Sequence, residues 1–333
     1  MENRQVLIDS LPDEKLSTDN YKLVTTEAPV PGDGEVLCRT LLTTVAAGSR
    51  AGLQGSASYA GAPQTNIVMN SHGVARIEAS NSDSLKVGDL VTCPTGWQDY
   101  SVHAAKHCQL VSDDIDLAHY LGALGTNGLT AYFGLLRVGE PREGQTVLIS
   151  AAAGSVGHMV GQIAAIKGCR TVGTTSTDEK CGLLMRDLGY DAAVSYRSPD
   201  FRADLKAACP DGIDIYFDNT GGEVLGAALF RMNEHGRIVC CGVVSQYDTS
   251  HPSGGPKGVP GLLVNKRIRM QGFLVFDYLK DYDKARAEMK DWIKSGELKP
   301  VNDTVEGLEN APDAFVNLLG GGNVGTRIIK IAD

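Results

Sequence analysis

The pattern of apolar and polar residues changes partway along the chain. Up to about residue 127, segments in which apolar and polar residues alternate are separated by turns rich in glycine, proline and aspartate, and residues 35–41 form one such segment. This period of two is typical of β-strands with one buried face. From residue 146 onward, short apolar runs alternate with segments whose apolar positions have helical spacing. The second pattern predicts strands and helices in regular alternation.

The alternating part of the chain predicts a parallel sheet. Its apolar runs predict strands at residues 146–150, 170–175, 192–196, 213–218, 237–243 and 268–275. Six strands with helical crossovers form a doubly wound α/β sheet. The spacing predicts a first helix over about 155–167. Ser176 with Glu179 predicts the cap of the second helix, and Ser198 with Pro199 predicts the start of the third.

A chain of 333 residues is long enough for two domains. We predict a β domain over residues 1–127 and a nucleotide-binding domain over 128–300. The tail from about 301 to 333 contains a predicted helix at 311–319 and a final strand at 326–331. We expect that strand to return to the first domain and complete it.

Two further stretches predict loops that border a site. Residues 48–65 are rich in glycine, alanine and serine and poor in large apolar side chains. Residues 245–261 contain three prolines, four glycines and Tyr247. A loop of this length inside a compact domain is usually functional or disordered. We predict that 245–261 forms a mobile lid and that 48–65 borders a substrate cleft.

Composition narrows the possible partners. Hydrophobic residues make up 42% of the chain and charged residues 21%, and the formal net charge is −9. This negative charge argues against nucleic acid and anionic membrane as partners. The chain shows no apolar run near the ~20 residues of a membrane span and no secretory signal, so we predict a cytoplasmic protein. Eight cysteines without a C-x-x-C pair predict free thiols in a reducing compartment.

The strand predicted at 146–150 leads into a turn of small residues. Residues 152–157 read Ala-Ala-Gly-Ser-Val-Gly, which is G-x-G-x-x-G with alanine in the first position. Between a strand and a helix, this motif indicates dinucleotide binding. Gly154 would let the backbone approach the pyrophosphate, and Gly157 would let the helix pack close to the strand. The helix N-terminus would present free N–H groups to the phosphates. An ordinary turn of small residues is the alternative.

The end of the next predicted strand indicates which dinucleotide is bound. An acidic residue that binds a ribose 2′-hydroxyl is expected about 20 residues after the motif. Thr175 and Ser176 occupy that position, with Lys180 one helical turn later and Tyr196 and Arg197 after the third strand. Hydroxyls with nearby cations suit a 2′-phosphate and therefore favour NADPH. The alternative for Lys180 is a solvated surface lysine.

Several stretches, taken together, resemble one known family. They are GWQDY at 96–100, LTAYFGLL at 129–136, AAAGSVGHMVGQIAAIKGC at 151–169, STDEK at 176–180, DIYFDNTGGE at 214–223, CGVVSQY at 241–247, RMQGFLV at 269–275 and the segment 306–330. The chain resembles the zinc-independent branch of the medium-chain dehydrogenase/reductase superfamily, and within it the leukotriene dehydrogenase, prostaglandin reductase and 2-alkenal (double-bond) reductase family. The resemblance implies a GroES-like β domain, a Rossmann domain and a homodimer. It also implies NADPH-dependent reduction of the carbon–carbon double bond of α,β-unsaturated aldehydes or ketones.

The resemblance implies roles for particular residues. It places Lys180 and Tyr196 at the 2′-phosphate, Asn219 on the cofactor, Tyr247 over the active site and Asn323 near the nicotinamide. The complete set of predicted cofactor-binding residues is Gly154, Ser155, Val156, Gly157, Thr175, Ser176, Lys180, Tyr196, Asn219, Cys241, Gly242, Tyr247, Phe273 and Asn323.

The first third of the chain departs from the family pattern. Residues 46–50 read Ala-Ala-Gly-Ser-Arg where the family usually has an Asp-Pro-Tyr-Met-Arg-like segment, and residues 126–128 replace a proline-containing turn. Both segments border the substrate pocket in the family. The identity of the enal or enone substrate is therefore left open by the sequence.

Zinc-dependent alcohol chemistry is one alternative reaction. It requires Cys, His and Glu ligands around a metal with an open position. Residues 71–74 read Ser-His-Gly-Val where zinc-dependent relatives carry Gly-His-Glu, so the glutamate is missing. We therefore predict no catalytic metal, and a structural or pocket-wall role for His72.

Without a metal, hydride must go to a carbon that conjugation has already polarised. Transfer to the β-carbon of an enone places negative charge on the carbonyl oxygen, and a hydrogen-bond donor at that oxygen lowers the barrier. The phenol of Tyr247 is protonated at neutral pH and is the predicted donor. The alternative is that Tyr247 only packs the loop. Two other functions remain open, an NADPH quinone reductase of zeta-crystallin type and a non-catalytic NADPH-binding protein.

Overall fold

The computed structural model describes residues 1–55, 61–249 and 255–333. Residues 56–60 of the predicted 48–65 loop, and residues 250–254 of the predicted lid, lie outside the described residues.

Strands dominate the first third of the chain, and strands alternate with helices after it. The strands are β1 (Glu2–Ile8), β2 (Tyr21–Glu27), β3 (Glu35–Thr44), β4 (Gly73–Ser80), β5 (Leu90–Cys93), β6 (Tyr100–Ala104), β7 (Gln109–Leu110), β8 (Thr146–Ile149), β9 (Arg170–Thr175), β10 (Ala192–Ser195), β11 (Ile213–Asp218), β12 (Met232–Cys240), β13 (Arg269–Gly272), β14 (Asn302–Glu306) and β15 (Thr326–Lys330). The α-helices are α1 (Gly48–Leu53), α2 (Thr126–Phe133), α3 (Gly157–Ile166), α4 (Asp178–Asp187), α5 (Phe201–Ala208), α6 (Gly222–Arg231), α7 (Val259–Lys266), α8 (Tyr282–Ser295) and α9 (Ala311–Leu319). A π-helix, Gly134–Gly139, continues α2.

The described residues divide into two units. The first consists of Met1–Leu121 with Asn302–Asp333, and the second is Gly122–Val301. The sequence predicts these boundaries after residue 127 and near residue 300. Among the described residues, no helix is long and apolar enough to cross a membrane.

The first unit is built on mainly antiparallel β-structure, and its one parallel pair among the described residues is β14 with β15. Its larger sheet has the strand order β14-β15-β3-β4-β5-β7, with β6 also paired to β3, and β1 pairs with β2 in a separate ribbon. The final strand β15 pairs antiparallel with β3, which is the kind of return that the sequence predicts. Alternating side chains of β3, β4 and β5 form an apolar core that includes Val36, Ile77 and Val91.

The second unit contains a six-stranded parallel sheet in the order β10-β9-β8-β11-β12-β13. In chain order this is 3-2-1-4-5-6, the Rossmann arrangement, and it confirms the predicted doubly wound α/β sheet. All four residues of the central strand β8 are buried, as expected for a strand covered by helices on both faces. The strand order reverses between β8 and β11, so the topological switch point lies at their carboxyl ends.

Both predicted helix starts are displaced. Thr177, not Ser176, caps α4, because its backbone is extended and its hydroxyl accepts a hydrogen bond from the Lys180 N–H. Helix α5 begins at Phe201 instead of Pro199. Ser198 forms a turn before it, in which its hydroxyl accepts from the Asp200 N–H at 3.2 Å.

Parts of both predicted loops are helical. Helix α1 occupies the start of the 48–65 stretch, and it buries Arg50, whose guanidinium donates to the Glu14 carbonyl at 2.5 Å. Helix α7 begins at Val259, inside the predicted lid, with proline in its first turn. The predicted strand at 237–243 ends at Cys240, because the N–H groups of Cys241 and Gly242 both turn to the Asp218 carbonyl.

Candidate cofactor and active site

The carboxyl ends of three central strands are tied together by hydrogen bonds. Ser150, just after β8, accepts a bond from the Asn219 N–H at 2.9 Å, and the Asn219 amide donates to the Ser150 carbonyl at 2.8 Å. The N–H of Gly242, after β12, donates to the carbonyl of Asp218 at 3.1 Å. Open α/β sheets bind ligands at this edge, next to the switch point. The residues predicted around Asn219 and Gly242 are therefore neighbours in the fold.

The glycine turn follows β8 directly. Ala151 has a left-handed backbone with φ of +47°, and the Gly154 N–H donates to its carbonyl at 2.9 Å. Ala152, which replaces the first glycine of the motif, is fully buried. A Cβ atom on Gly173 of β9 would lie 2.8 Å from the Ala152 methyl. The alanine is therefore accommodated by a glycine on the neighbouring strand.

Internal packing constrains the two glycines of the motif, Gly154 and Gly157, to different degrees. A Cβ atom on Gly157 would lie 2.3 Å from the Ala151 carbonyl oxygen and 2.8 Å from the Ala152 Cα. Glycine is thus required there for α3 to begin against the turn. A Cβ atom on Gly154 would lie 3.2 Å from the same oxygen, with no closer neighbour among the described residues. Internal packing therefore demands glycine at 157 much more strongly than at 154.

His158 supports this turn, and sequence reasoning missed it. The imidazole is fully buried. Its Nε2 accepts a hydrogen bond from the Val301 N–H at 3.1 Å, so the proton is on Nδ1, which donates to the Gly154 carbonyl at 2.8 Å. Burial lowers the pKa of His158 to about 4. The ring is therefore a neutral cross-link between the glycine turn and the end of the second unit. Its only signal in the sequence is a histidine in a largely apolar predicted helix.

Tyr190 is a second support that the sequence did not reveal. Its hydroxyl donates to the Gly157 carbonyl at 2.7 Å, and its ring lies against α3 where a Cβ atom on Gly161 would be 2.1 Å from Cζ. The side chain is 3% exposed. It holds the first turn of α3, the helix whose N-terminus faces the switch point.

The residues predicted at the 2′-phosphate flank the ends of β9 and β10. Thr175 pairs with Ser195 across the two strands, and the Tyr196 N–H donates to the Thr175 carbonyl at 2.9 Å. Ser176 follows β9 directly, and Lys180 lies in the first turn of α4. The Tyr196 ring is 39% exposed. The fold thus gathers these predicted residues at one edge of the sheet.

Tyr247 lies close to the other end of the predicted site. It follows a short 3₁₀-helix, Val244–Gln246. Its hydroxyl accepts a long hydrogen bond of 3.4 Å from the Val243 N–H, and a Cβ atom on Gly242 would lie 3.2 Å from it and 3.2 Å from the Asn219 carbonyl. The structure therefore brings Tyr247, Gly242 and Asn219 together. Cys241 lies beside them, and burial raises the pKa of its thiol to about 12.

A buried carboxylate shapes the loop that carries Asn219. Asp218 is 3% exposed, and its Oδ1 accepts hydrogen bonds from the Tyr216 hydroxyl at 2.8 Å, the Thr220 N–H at 3.0 Å and the Gly221 N–H at 2.8 Å. These bonds fix the turn into α6. Asp218 is a positioning residue that sequence reasoning did not single out.

Phe273 and Asn323 occupy different units. Phe273 follows β13, and its ring tip fills the notch at Gly134, where a Cβ atom would lie 2.5 Å from Cζ. Asn323 belongs to the first unit, is 8% exposed and donates from its amide to the Gly325 carbonyl at 2.8 Å.

Comparison with known proteins identifies relatives over nearly the whole chain. An N-terminal oxidoreductase domain model matches residues 4–111, and a zinc-binding dehydrogenase model matches residues 155–292. The NADPH-dependent curcumin reductase of Escherichia coli is 37% identical over 99% of this chain and 97% of its own. The NADP⁺-dependent 2-alkenal reductase of Nicotiana tabacum is 38% identical over 99% and 98%. The structure of Vibrio vulnificus CurA in complex with NADPH has 37% identity and a TM-score of 0.95, covering 99% of each chain.

The parallel-sheet unit, its glycine turn and these matches define an oxidoreductase of the medium-chain dehydrogenase/reductase type. Within that superfamily, the chain belongs to the zinc-independent family of leukotriene dehydrogenases, prostaglandin reductases and 2-alkenal reductases. The family and the fold class predicted from the sequence are confirmed. The residues matched by the zinc-binding dehydrogenase model do not include His72.

Proposed function

We propose that this enzyme transfers hydride from NADPH to the β-carbon of α,β-unsaturated aldehydes or ketones. The cofactor is NADPH, and the reaction reduces a conjugated carbon–carbon double bond. Relatives aligned over nearly the full length are a curcumin reductase and a 2-alkenal reductase by name. The observation that carries the proposal is the placement of Tyr247 beside Gly242 and Asn219, at the sheet edge where the glycine turn begins.

The glycine turn holds the pyrophosphate. The N–H groups at the start of α3, with those of Ser155 and Val156 before it, supply the positive end of the helix dipole. Because internal packing tolerates more at Gly154 than at Gly157, the glycine at 154 is best explained by a ligand that approaches the backbone. The buried His158 ring, which lies on α3, bonds to the Gly154 carbonyl. This bond keeps the carbonyl pointed toward α3 and away from the proposed pyrophosphate.

The 2′-phosphate lies at the ends of β9 and β10. Ser176 provides hydroxyl and backbone donors, Lys180 provides the charge, and the exposed Tyr196 ring covers the adenosine end. The Thr175 hydroxyl donates a hydrogen bond to the Thr177 carbonyl at 2.9 Å, so Thr175 orders the loop. Its neighbours make the direct contacts with the 2′-phosphate.

Tyr247 stabilises the developing enolate. The Tyr247 hydroxyl accepts from the Val243 N–H at 3.4 Å, which is long for a hydrogen bond. A bond to a substrate carbonyl would use the O–H proton of Tyr247, which the bond from the Val243 N–H does not use. One preorganised donor of this kind is worth roughly 10²-fold or more in kcat. The α-carbon takes its proton from solvent.

Asn219 orients the cofactor beside this tyrosine. Its amide nitrogen is occupied by the Ser150 carbonyl, so the orientation of its Oδ1 is fixed. This oxygen accepts a hydrogen bond from a cofactor hydroxyl. Cys241, Gly242 and Phe273 line the nicotinamide side.

The proposal is tested with NADPH deuterated at the transferred position. Enals and enones should give saturated carbonyl products with one deuterium on the β-carbon, identified by mass spectrometry and NMR. Tyr247→Phe removes only the hydroxyl and should lower kcat by roughly 10²-fold, with NADPH affinity close to that of the wild type. Turnover of quinones without enals would favour the quinone reductase, and NADPH binding without any turnover would favour the non-catalytic alternative.

We also propose that the enzyme is a homodimer joined through β13. This strand ends the six-stranded sheet, and an unpaired edge is a template for pairing with a second strand. Exposed apolar side chains follow it, with Leu274 43%, Phe276 51% and Leu279 61% exposed. Leu274→Glu should convert dimer to monomer in sedimentation velocity, whereas Val30→Glu, at an exposed position in the first unit, should not. A monomeric wild-type protein at micromolar concentration would contradict this arrangement.

A further inference from the structure

Three cysteine side chains converge inside the first unit. Cys38 lies on β3, Cys93 ends β5, and Cys108 follows the 3₁₀-helix Ala105–His107. Their sulfur atoms all lie within 4.8 Å of one another. Cys38 and Cys93 are fully buried, and Cys108 is half-buried. These three sulfurs, from three separate elements, form the thiol cluster.

The surroundings of the thiol cluster are apolar. Its neighbours in the same core are Val36, Ala75, Ile77, Leu85, Val91 and Ala105. The Cys108 thiol has a weak contact of 4.0 Å to the Ala104 carbonyl. The ordinary explanation for buried thiols is that they serve as small hydrophobic side chains. A purely hydrophobic role does not explain why three sulfur atoms from distant parts of the chain lie within 4.8 Å of one another.

The spacing of the sulfurs, all within 4.8 Å of one another, is compatible with ligands around one soft metal ion. A metal bonded to three sulfurs at about 2.3 Å holds those sulfurs about 4 Å apart. Thiolate ligands select Cu⁺, Zn²⁺ and iron–sulfur centres. Structural zinc takes four protein ligands, whereas the group found among the described residues contains only these three. Cu⁺ accepts three sulfur ligands without a fourth, so the three cysteines form a complete ligand set for it.

We propose that Cys38, Cys93 and Cys108 bind one monovalent copper ion through their three sulfur atoms. The two buried cysteines form the inner part of the site, and the half-buried Cys108 is the ligand through which the ion enters and leaves. Binding replaces thiol protons with the ion, so protons are released as the site fills. The thiol cluster contains none of the residues proposed for cofactor binding or hydride transfer.

The test uses the full-length reduced protein without oxygen. Cu⁺ is supplied as its bicinchoninate complex, and the copper retained per chain is measured as the coloured complex is depleted. We expect one equivalent per chain, with three Cu–S bonds of about 2.3 Å by X-ray absorption. Saturation should also raise the unfolding temperature, because the ion binds only the folded site.

Variants decide whether the cluster is the site. Cys108→Ser changes the half-buried ligand and should weaken retention by at least about 100-fold, since loss of outer-shell partners alone costs roughly 10- to 100-fold. Cys93→Ala, which introduces no polar group into the core, should do the same. Cys209→Ala, at a fully buried cysteine of the second unit, should retain copper like the wild type. Failure of the wild type to retain Cu⁺ against the chelator would overturn the proposal, as would equal retention by Cys108→Ser.

Discussion

The buried imidazole of His158 makes the stability of this protein depend on pH in a specific way. Its folded-state pKa is about 4, whereas an unfolded histidine titrates near ~6.5. Between these values the unfolded chain binds a proton that the folded chain does not. Stability is therefore complete above pH ~6.5 and falls as the pH drops toward 4, with a total loss of about 3 kcal/mol.

Substitution by asparagine removes this titration and keeps one of the two hydrogen bonds. In His158→Asn the amide can still donate to the Gly154 carbonyl, but the Val301 N–H loses its acceptor, which costs about 1–3 kcal/mol at neutral pH. Between pH 7.5 and 5.0 the wild type should then lose about 2 kcal/mol more than the variant, from about 1.5 pH units at roughly 1.36 kcal/mol each.

The assay is urea unfolding at both pH values, with hydrogen exchange at the Val301 amide as a local readout of the same opening. His235→Asn, at an exposed histidine, is the matched control and should follow the wild type. Parallel pH dependences for the wild type and His158→Asn would show that the ring is not held neutral by burial, and would refute this reasoning.

Other variants test the cofactor site. Lys180→Ala should raise the NADPH KM about 10-fold, or ~1.4 kcal/mol, and leave the NADH KM unchanged. Equal use of both cofactors by the wild type would contradict the 2′-phosphate assignment. Gly157→Ala should destabilise the fold by about 1–3 kcal/mol through its clash with the Ala151 carbonyl, whereas Gly154→Ala should unfold at nearly the wild-type temperature but bind NADPH more weakly. Enal reduction should survive exhaustive chelation, since no proposed catalytic step uses a metal.

Local sequence patterns predict best the strands and helices whose residue types are consistent along their whole length. The bounds of β9 and β11 agree with the prediction, because β-branched and aromatic residues predominate in both segments between turn residues. Strand β12 begins at Met232, earlier than predicted, because its polar residues 233–235 hide the pattern, and its pairing with β11 is irregular near Ile213. Helix α1 escapes prediction because a short glycine- and alanine-rich segment has weak periodicity, and it is anchored by Arg50, a residue type that is rarely buried.

Contacts between residues that are far apart in the sequence limit how much of the site can be predicted from the sequence. The tautomer of His158 depends on Val301, which lies 143 positions further along the chain. The thiol cluster is not predictable because Cys38, Cys93 and Cys108 have no metal-motif spacing, and only the folding of β3 against its neighbours brings them together. The residues of the cofactor site can be predicted from the sequence because the carboxyl ends of parallel strands meet at one edge of the sheet. Residues that follow different strands in the sequence are therefore neighbours in the fold.

Ala152, in the first position of the glycine motif, is matched by Gly173 on the neighbouring strand β9, and this pairing can be tested by mutation. Gly173→Ala would place a methyl 2.8 Å from the Ala152 methyl, 2.8 Å from Leu184 Cδ1 and 3.1 Å from Tyr190 Cε1, and overpacking of this degree costs about 1–3 kcal/mol. Ala152→Gly removes one of the three clashes and restores the usual first glycine of the motif. In the double variant we therefore expect partial recovery, with a coupling free energy of about 0.5–3 kcal/mol measured by a double-mutant unfolding cycle. Strict additivity of the two single changes would mean that Gly173 is required by Leu184 and Tyr190 alone, and that the alanine at position 152 needs no partner on β9.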